Sequence, residues 1–186
     1  MSTNGSLYSN WKPRSTDSVE FGDLYEWGRD YDLRGPHQVP PYKRFWILEY
    51  QIPQAIAYRG KEVANYAEGL AALIMNAFIF AGALKLPIFS HFKYRAVTEV
   101  PKSSFDPMRI LVLLGSCWQM IHYQQADSRR HRSRYKEDKL AKSVAELIEE
   151  FCAYLPTGHE QTAIRDTTEI LTQDIQMPPV RRAAAA

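Results

Sequence analysis

The sequence predicts an all-α protein with one or two transmembrane helices, an extended N-terminal arm and a C-terminal soluble αα-hairpin. Three observations predict it. Between Glu68 and Lys85 every residue is apolar or small except Asn76. A second apolar run, Met108 to Ile121, follows a polar connection that contains Pro101 and Pro107. Beyond it, Leu140, Val144, Leu147, Ile148, Phe151 and Leu155 recur at the spacing of an amphipathic helix.

Residues 1–43 read as an extended arm. Met1 to Thr16 is rich in Ser, Thr and Asn, carries Lys12 and Arg14 and has no acid. Those features belong to organelle transit peptides, whereas Pro13 and the lack of an Arg-rich amphipathic helix do not. From Asp17 to Leu33 acids alternate with aromatics, and Gly22 and Gly28 interrupt any helical or strand period. Two readings stay open there: a surface loop, or an arm laid across a neighbouring subunit with Phe21, Tyr25, Trp27 and Tyr31 as its anchors. Pro36, Pro40 and Pro41 stiffen the spacer that follows.

Residues 44–125 form the expected membrane region, with apolar helices near 66–89 and 108–125. Phe45, Trp46, Ile47, Leu48 and Tyr50 make a run too short to cross a bilayer; beside Lys43 and Arg44 they suit the headgroup layer or a core. No proline lies between Pro53 and Pro87, so one helix is expected to run from Pro53 into the long apolar stretch. As a helix, Gly69 to Phe89 spans roughly 31 Å, the thickness of a bilayer's hydrocarbon core. Ala77, Ala81 and Gly82 put small side chains on adjoining faces, as at close helix contacts, and Asn76 is placed to bond across one. The competing reading is a buried helix of a soluble bundle. Met108 to Gln125 spans about 27 Å as a helix and stays open as a second span or a core helix. If both cross, they form a helical hairpin.

Residues 126–177 hold a basic exit and a pair of amphipathic helices, and 178–186 a tail. Arg129, Arg130, Arg132, Arg134 and Lys136 crowd into eight residues behind Trp118 and Tyr123. Anionic lipid or a partner subunit, a solvated helix face and nucleic acid all suit such a block, with nucleic acid the least favoured because no fold signature accompanies it. Thr157 and Glu160 read as a capping box that opens a last helix carrying Ile164, Thr168, Leu171 and Ile175 on one face. By the positive-inside rule the Arg block, Arg59 and Lys61 put both termini on the cytoplasmic or matrix side.

The 23 basic and 21 acidic residues nearly cancel, so overall charge selects no partner. Cys117 and Cys152 sit among apolar residues and read as small hydrophobes, not as a disulfide framework. His159 has no second His at metal-ligand spacing, and no His follows a Glu by three. Gly-rich phosphate loops are absent from the sequence, and Cys117 has no base beside it. In the hairpin His91 and His122 fall on opposite membrane faces, about 30 Å apart, too far to share a haem iron. No catalytic residue, metal or cofactor is assigned.

An aromatic arm, short spans, a basic exit and a small helical hairpin together resemble the accessory subunits of mitochondrial inner-membrane assemblies, either respiratory complexes or the ATP synthase. The stretch from Ile121 through His122, Tyr123, Arg129, Arg130, His131, Arg132 and Arg134 to Tyr135 is similar to the small subunit f of the synthase, where an apolar span ends in Tyr, His and Arg. The resemblance implies a non-catalytic membrane subunit acting in assembly, stability or lipid contact, with other subunits and anionic lipid as partners. The reading from a different class is a soluble helical structural protein, such as a capsid or nucleocapsid component, holding nucleic acid through the Arg block.

Overall fold

In the computed structural model, which describes residues 19–34, 39–126 and 134–176, the chain is helical throughout its regular structure. Its helices are α1 (Phe21–Arg34), α2 (Pro41–Tyr58), α3 (Val63–Leu84), α4 (Pro107–Ala126), α5 (Arg134–Tyr154) and α6 (Glu160–Gln176), with short 3-10 turns at Ile88–His91 and Val97–Glu99. No strand occurs among the described residues, only the isolated pairing of Glu20 with Ala96.

The apolar stretch becomes α3, the axis around which α1, α2, α5 and α6 pack. Leu70, Leu73, Ile74, Met75, Phe78 and Phe80 are all closed off from water by side chains of this same chain. At 22 residues the helix is about 33 Å long, and it is the single described helix long and apolar enough to cross a membrane. It ends five residues earlier than the sequence suggests. Lys85 takes a left-handed conformation, φ 54°, and its N–H donates to the Gly82 carbonyl while that of Leu86 donates to Ala81. This is the Schellman arrangement, which satisfies carbonyls the helix itself leaves open.

The helix expected to run unbroken from Pro53 is two helices. Proline at the first helical position costs nothing, because that N–H has no helical partner anyway, so α2 starts at Pro41 and carries Pro53 within it. Gly60, with φ +84°, then turns the chain back, and α2 runs antiparallel to α3. Phe45 meets Phe80 with ring centroids 5.1 Å apart, and Asn76 Nδ2 donates to Gln51 Oε1 at 2.9 Å.

The arm expectation also needs correcting, since residues 21–34 form α1. Phe21, Leu24, Tyr25 and Gly28 follow one another at spacings of three, one and three, a helical stripe. Phe21, Tyr25 and Trp27 are buried in this chain's own core and Tyr31 packs against its edge. Their rings are thus taken up by this chain's own core. Gly28, which reads as an interruption, lies on the contact face itself.

α4 begins behind an Asp cap: the Asp106 carboxylate accepts from the N–H groups of Met108 and Arg109. It lies chiefly against α5, not beside α3 as a spanning hairpin requires. α5 and α6 stand where the apolar stripes put them, and Leu140, Val144, Leu147, Ile148, Phe151, Leu155 and Ile164 are buried. The main neighbour they share is α3, not each other. His159, not Thr157, is the residue before the first turn of α6, and the Glu160 carboxylate reaches back to accept from the N–H of Gly158 at 2.7 Å.

Candidate interaction surface

Helices α2 and α4 lie alongside each other in opposite directions. Trp118 of α4 packs edge-on against Phe45 of α2, centroids 5.2 Å apart, touches Trp46 at 6.2 Å and donates Nε1–H to Glu49 Oε2 at 3.2 Å. At the other end the Arg59 guanidinium, just past α2, stacks over Phe105, just before α4, 4.9 Å from the ring centroid. The inner faces of the pair are filled by Phe45, Leu48, Ile52, Ile110, Leu113, Leu114 and Cys117.

The outer faces are unusual. Trp46 and Tyr50 of α2 and Met108, Leu111 and Val112 of α4 all stand in water. From Tyr50 to Tyr58 and from Ile110 to Ala126 the chain has no Asp, Glu, Lys or Arg. The exposed sides of α1, α5 and α6 carry Glu26, Lys139, Lys142, Arg165, Asp166 and Glu169 instead. One side of the molecule is thus rich in exposed apolar groups, with Glu49 and Arg109 among its few exposed charges, while the others are charged throughout. Sequence reading found α4 but neither α2 as a separate helix nor this face, because neither run shows from its own pattern which side its neighbours cover.

The residues singled out in the sequence fall in several places. Asn76, Ala77, Ala81 and Gly82 lie at contacts between helices of this chain: Asn76 with α2, Gly82 against the backbone of α1 at Arg29. Ala77 and Ala81 are buried within the bundle. Trp27 Nε1 donates to Thr172 Oγ1 at 3.3 Å, tying α1 to α6. Trp118 joins α4 to α2. Tyr123 lies in α4 and Arg134 opens α5, while Arg129, Arg130 and Arg132 lie outside the described residues.

Charged groups gather between α5 and the segment before α4. Arg109 Nε bonds Glu150 at 2.5 Å, Glu149 accepts from the Lys93 N–H at 2.6 Å, and the Tyr154 hydroxyl donates to Glu150. Burial is the main reason the Tyr154 phenol is raised above its ordinary value, with the bond to Glu150 adding to it. Lys102 Nζ bonds Glu160 at 3.0 Å and the Cys152 carbonyl at 3.1 Å. These pairs fasten α4, α5 and α6 to the connection between α3 and α4. Cys152 is fully enclosed, and burial pushes its thiol far above the usual range; such a thiol is a poor nucleophile. Among the described residues no three His, Cys, Asp or Glu side chains are arranged to hold a metal ion.

None of the family models, curated proteins or solved structures compared with the chain matches it.

Proposed function

We propose that this chain is a non-catalytic structural subunit that takes its place in a larger assembly by docking the outward face of α2 and α4. The apolar, aromatic-rich character of that face carries the reading. Large apolar groups gathered on one side of a protein mark an interaction surface, and Trp and Tyr are the side chains that most often anchor one. The acids and bases that cluster elsewhere are engaged with one another across helix contacts, as in a scaffold. That the assembly belongs to the mitochondrial inner membrane rests on the layout of the sequence alone. The charged outer faces of α1, α5 and α6, three of the helices that enclose α3, support a subunit set against its partners, since charges at bilayer depth are costly.

A second reading, a helical structural protein that holds nucleic acid, is supported by the five bases between Arg129 and Lys136. Such binding weakens steeply with salt.

Native gels of extracts from the source, following wild type and Leu111→Glu, test the docking reading. Wild type is expected in a species well above its own 21.5 kDa, and the variant at its own mass with an unchanged helical spectrum. Wild type migrating at its own mass, or a variant that stays in the assembly, would sink the proposal.

A further inference from the structure

The occupant of the α2/α4 face is what the exposed side chains, their charge and the shape of α4 jointly identify. Trp46 and Tyr50 are 54% and 71% exposed, and Met108, Leu111 and Val112 are 59–66% exposed. Large apolar side chains this exposed present several hundred Å² of surface, on the order of the ~800 Å² that each partner gives to a standard interface.

Charge narrows the choice of partner. The rim carries Lys43, Arg59 and Arg109 but also Glu49 and Asp106, and Arg109 is paired with Glu150. An anionic bilayer draws in surfaces with an excess of bases, and a balanced rim has none. A rim of mixed sign can instead meet its own copy, base against acid, and the uncharged centre raises no repulsion when placed against itself. An acidic or basic partner protein would find nothing here to recognise.

Shape points the same way. A twofold axis through the middle of α4 sets it antiparallel to its copy. Gly115 lies near that midpoint, and no atom stands within 4 Å of the place a Cβ would occupy. With Leu111 and Val112 one turn away, the two helices can approach closely there, with apolar side chains seated on either side of a smooth crossing.

We infer that the α2/α4 face binds a second copy of this chain, forming a twofold dimer in which α4 crosses α4 at Gly115. The inference rests on the docking reading above and names the partner.

The purified full-length chain tests it by sedimentation equilibrium and by cross-linking. Wild type is expected at about 43 kDa, twice the 21.5 kDa chain, and Val112→Glu at the single mass with its helical spectrum retained. Gly115→Cys places a thiol at the crossing, where mild oxidation is expected to give a reducible dimer; Cys117 and Cys152 are buried and do not compete. A wild type that sediments as a monomer at every concentration overturns the dimer. So does a Gly115→Cys thiol that titrates freely yet never cross-links, or a monomer that instead floats with phosphatidylserine vesicles. If the purified chain is monomeric while Leu111→Glu is still lost from the native assembly, the second copy falls and the docking reading stands. If Leu111→Glu stays in place as well, both fall.

Discussion

Gly28 of α1 and Gly82 of α3 sit where the two helices cross, each against the other's backbone. A Cβ on Gly28 would stand 2.7 Å from the carbonyl carbon of Phe78, and one on Gly82 would stand 2.6 Å from the nitrogen of Arg29. Backbone atoms cannot turn aside as a flexible side chain can, so the helices would have to part. In an open helix, Gly→Ala stabilises by about 1 kcal/mol. Here the sign reverses: Gly82→Ala is expected to cost ~1–3 kcal/mol through overpacking, read as a lower urea midpoint. An alanine variant as stable as wild type would mean that α1 does not lie this close to α3.

Enclosure of α3 by its own chain makes a claim about Phe78, which is wholly buried among Phe21, Phe92 and the rest of the core. Phe78→Ala should cost about 3–5 kcal/mol, the loss expected for a core aromatic. A lipid-facing ring would be worth far less to the fold. On membranes from the native source, alkaline carbonate is expected to release the chain. Retention in the pellet would return α3 to the bilayer.

Lys85 holds the left-handed position that ends α3, a conformation that is strained for any residue with a Cβ. Its side chain is exposed. Lys85→Gly removes the strain and is expected to stabilise the protein by ~0.5–1 kcal/mol, measured as a higher melting temperature. A drop instead would show that the lysine side chain holds something at the cap.

Acid should weaken the anchor of α6. Burial alone would raise the Glu160 carboxyl, but its own backbone N–H, the Lys102 ammonium and the Gly158 N–H more than offset this and hold it below its ordinary value of 4.5. As pH falls, the unfolded chain therefore takes up this proton first. The contribution is whole above about pH 4.5 and is lost as pH drops through the lower folded value. Urea unfolding from about pH 7 to about pH 3 should show the gap between wild type and Glu160→Gln closing at the acid end. A constant gap would exclude the carboxylate as its source. Removing the cation with Lys102→Met, which strips a mostly buried carboxylate of a partner, is expected to cost ~1–2 kcal/mol near neutral pH.

The sequence by itself determined the all-helical class and the positions of α4, α5 and α6, because apolar periodicity, the apolar run that begins at Met108 and the Pro156–Gly158 turn are local signals. It also marked a helix near 66–89 with hydrophobic surroundings, which the structure bounds at Val63–Leu84. What surrounds that helix only the tertiary structure decided. Lipid tails and a ring of apolar helix faces solvate an all-apolar helix equally well, so its own residues carry no record of which one is present. The same reason hid α1: Gly28 breaks a helix considered alone, and it is tolerated because the backbone of α3 fills the space a side chain would have taken. It also hid the pairing of α2 with α4, whose apolar sides become distinguishable as buried or exposed only when Trp118 has met Phe45 and Glu49.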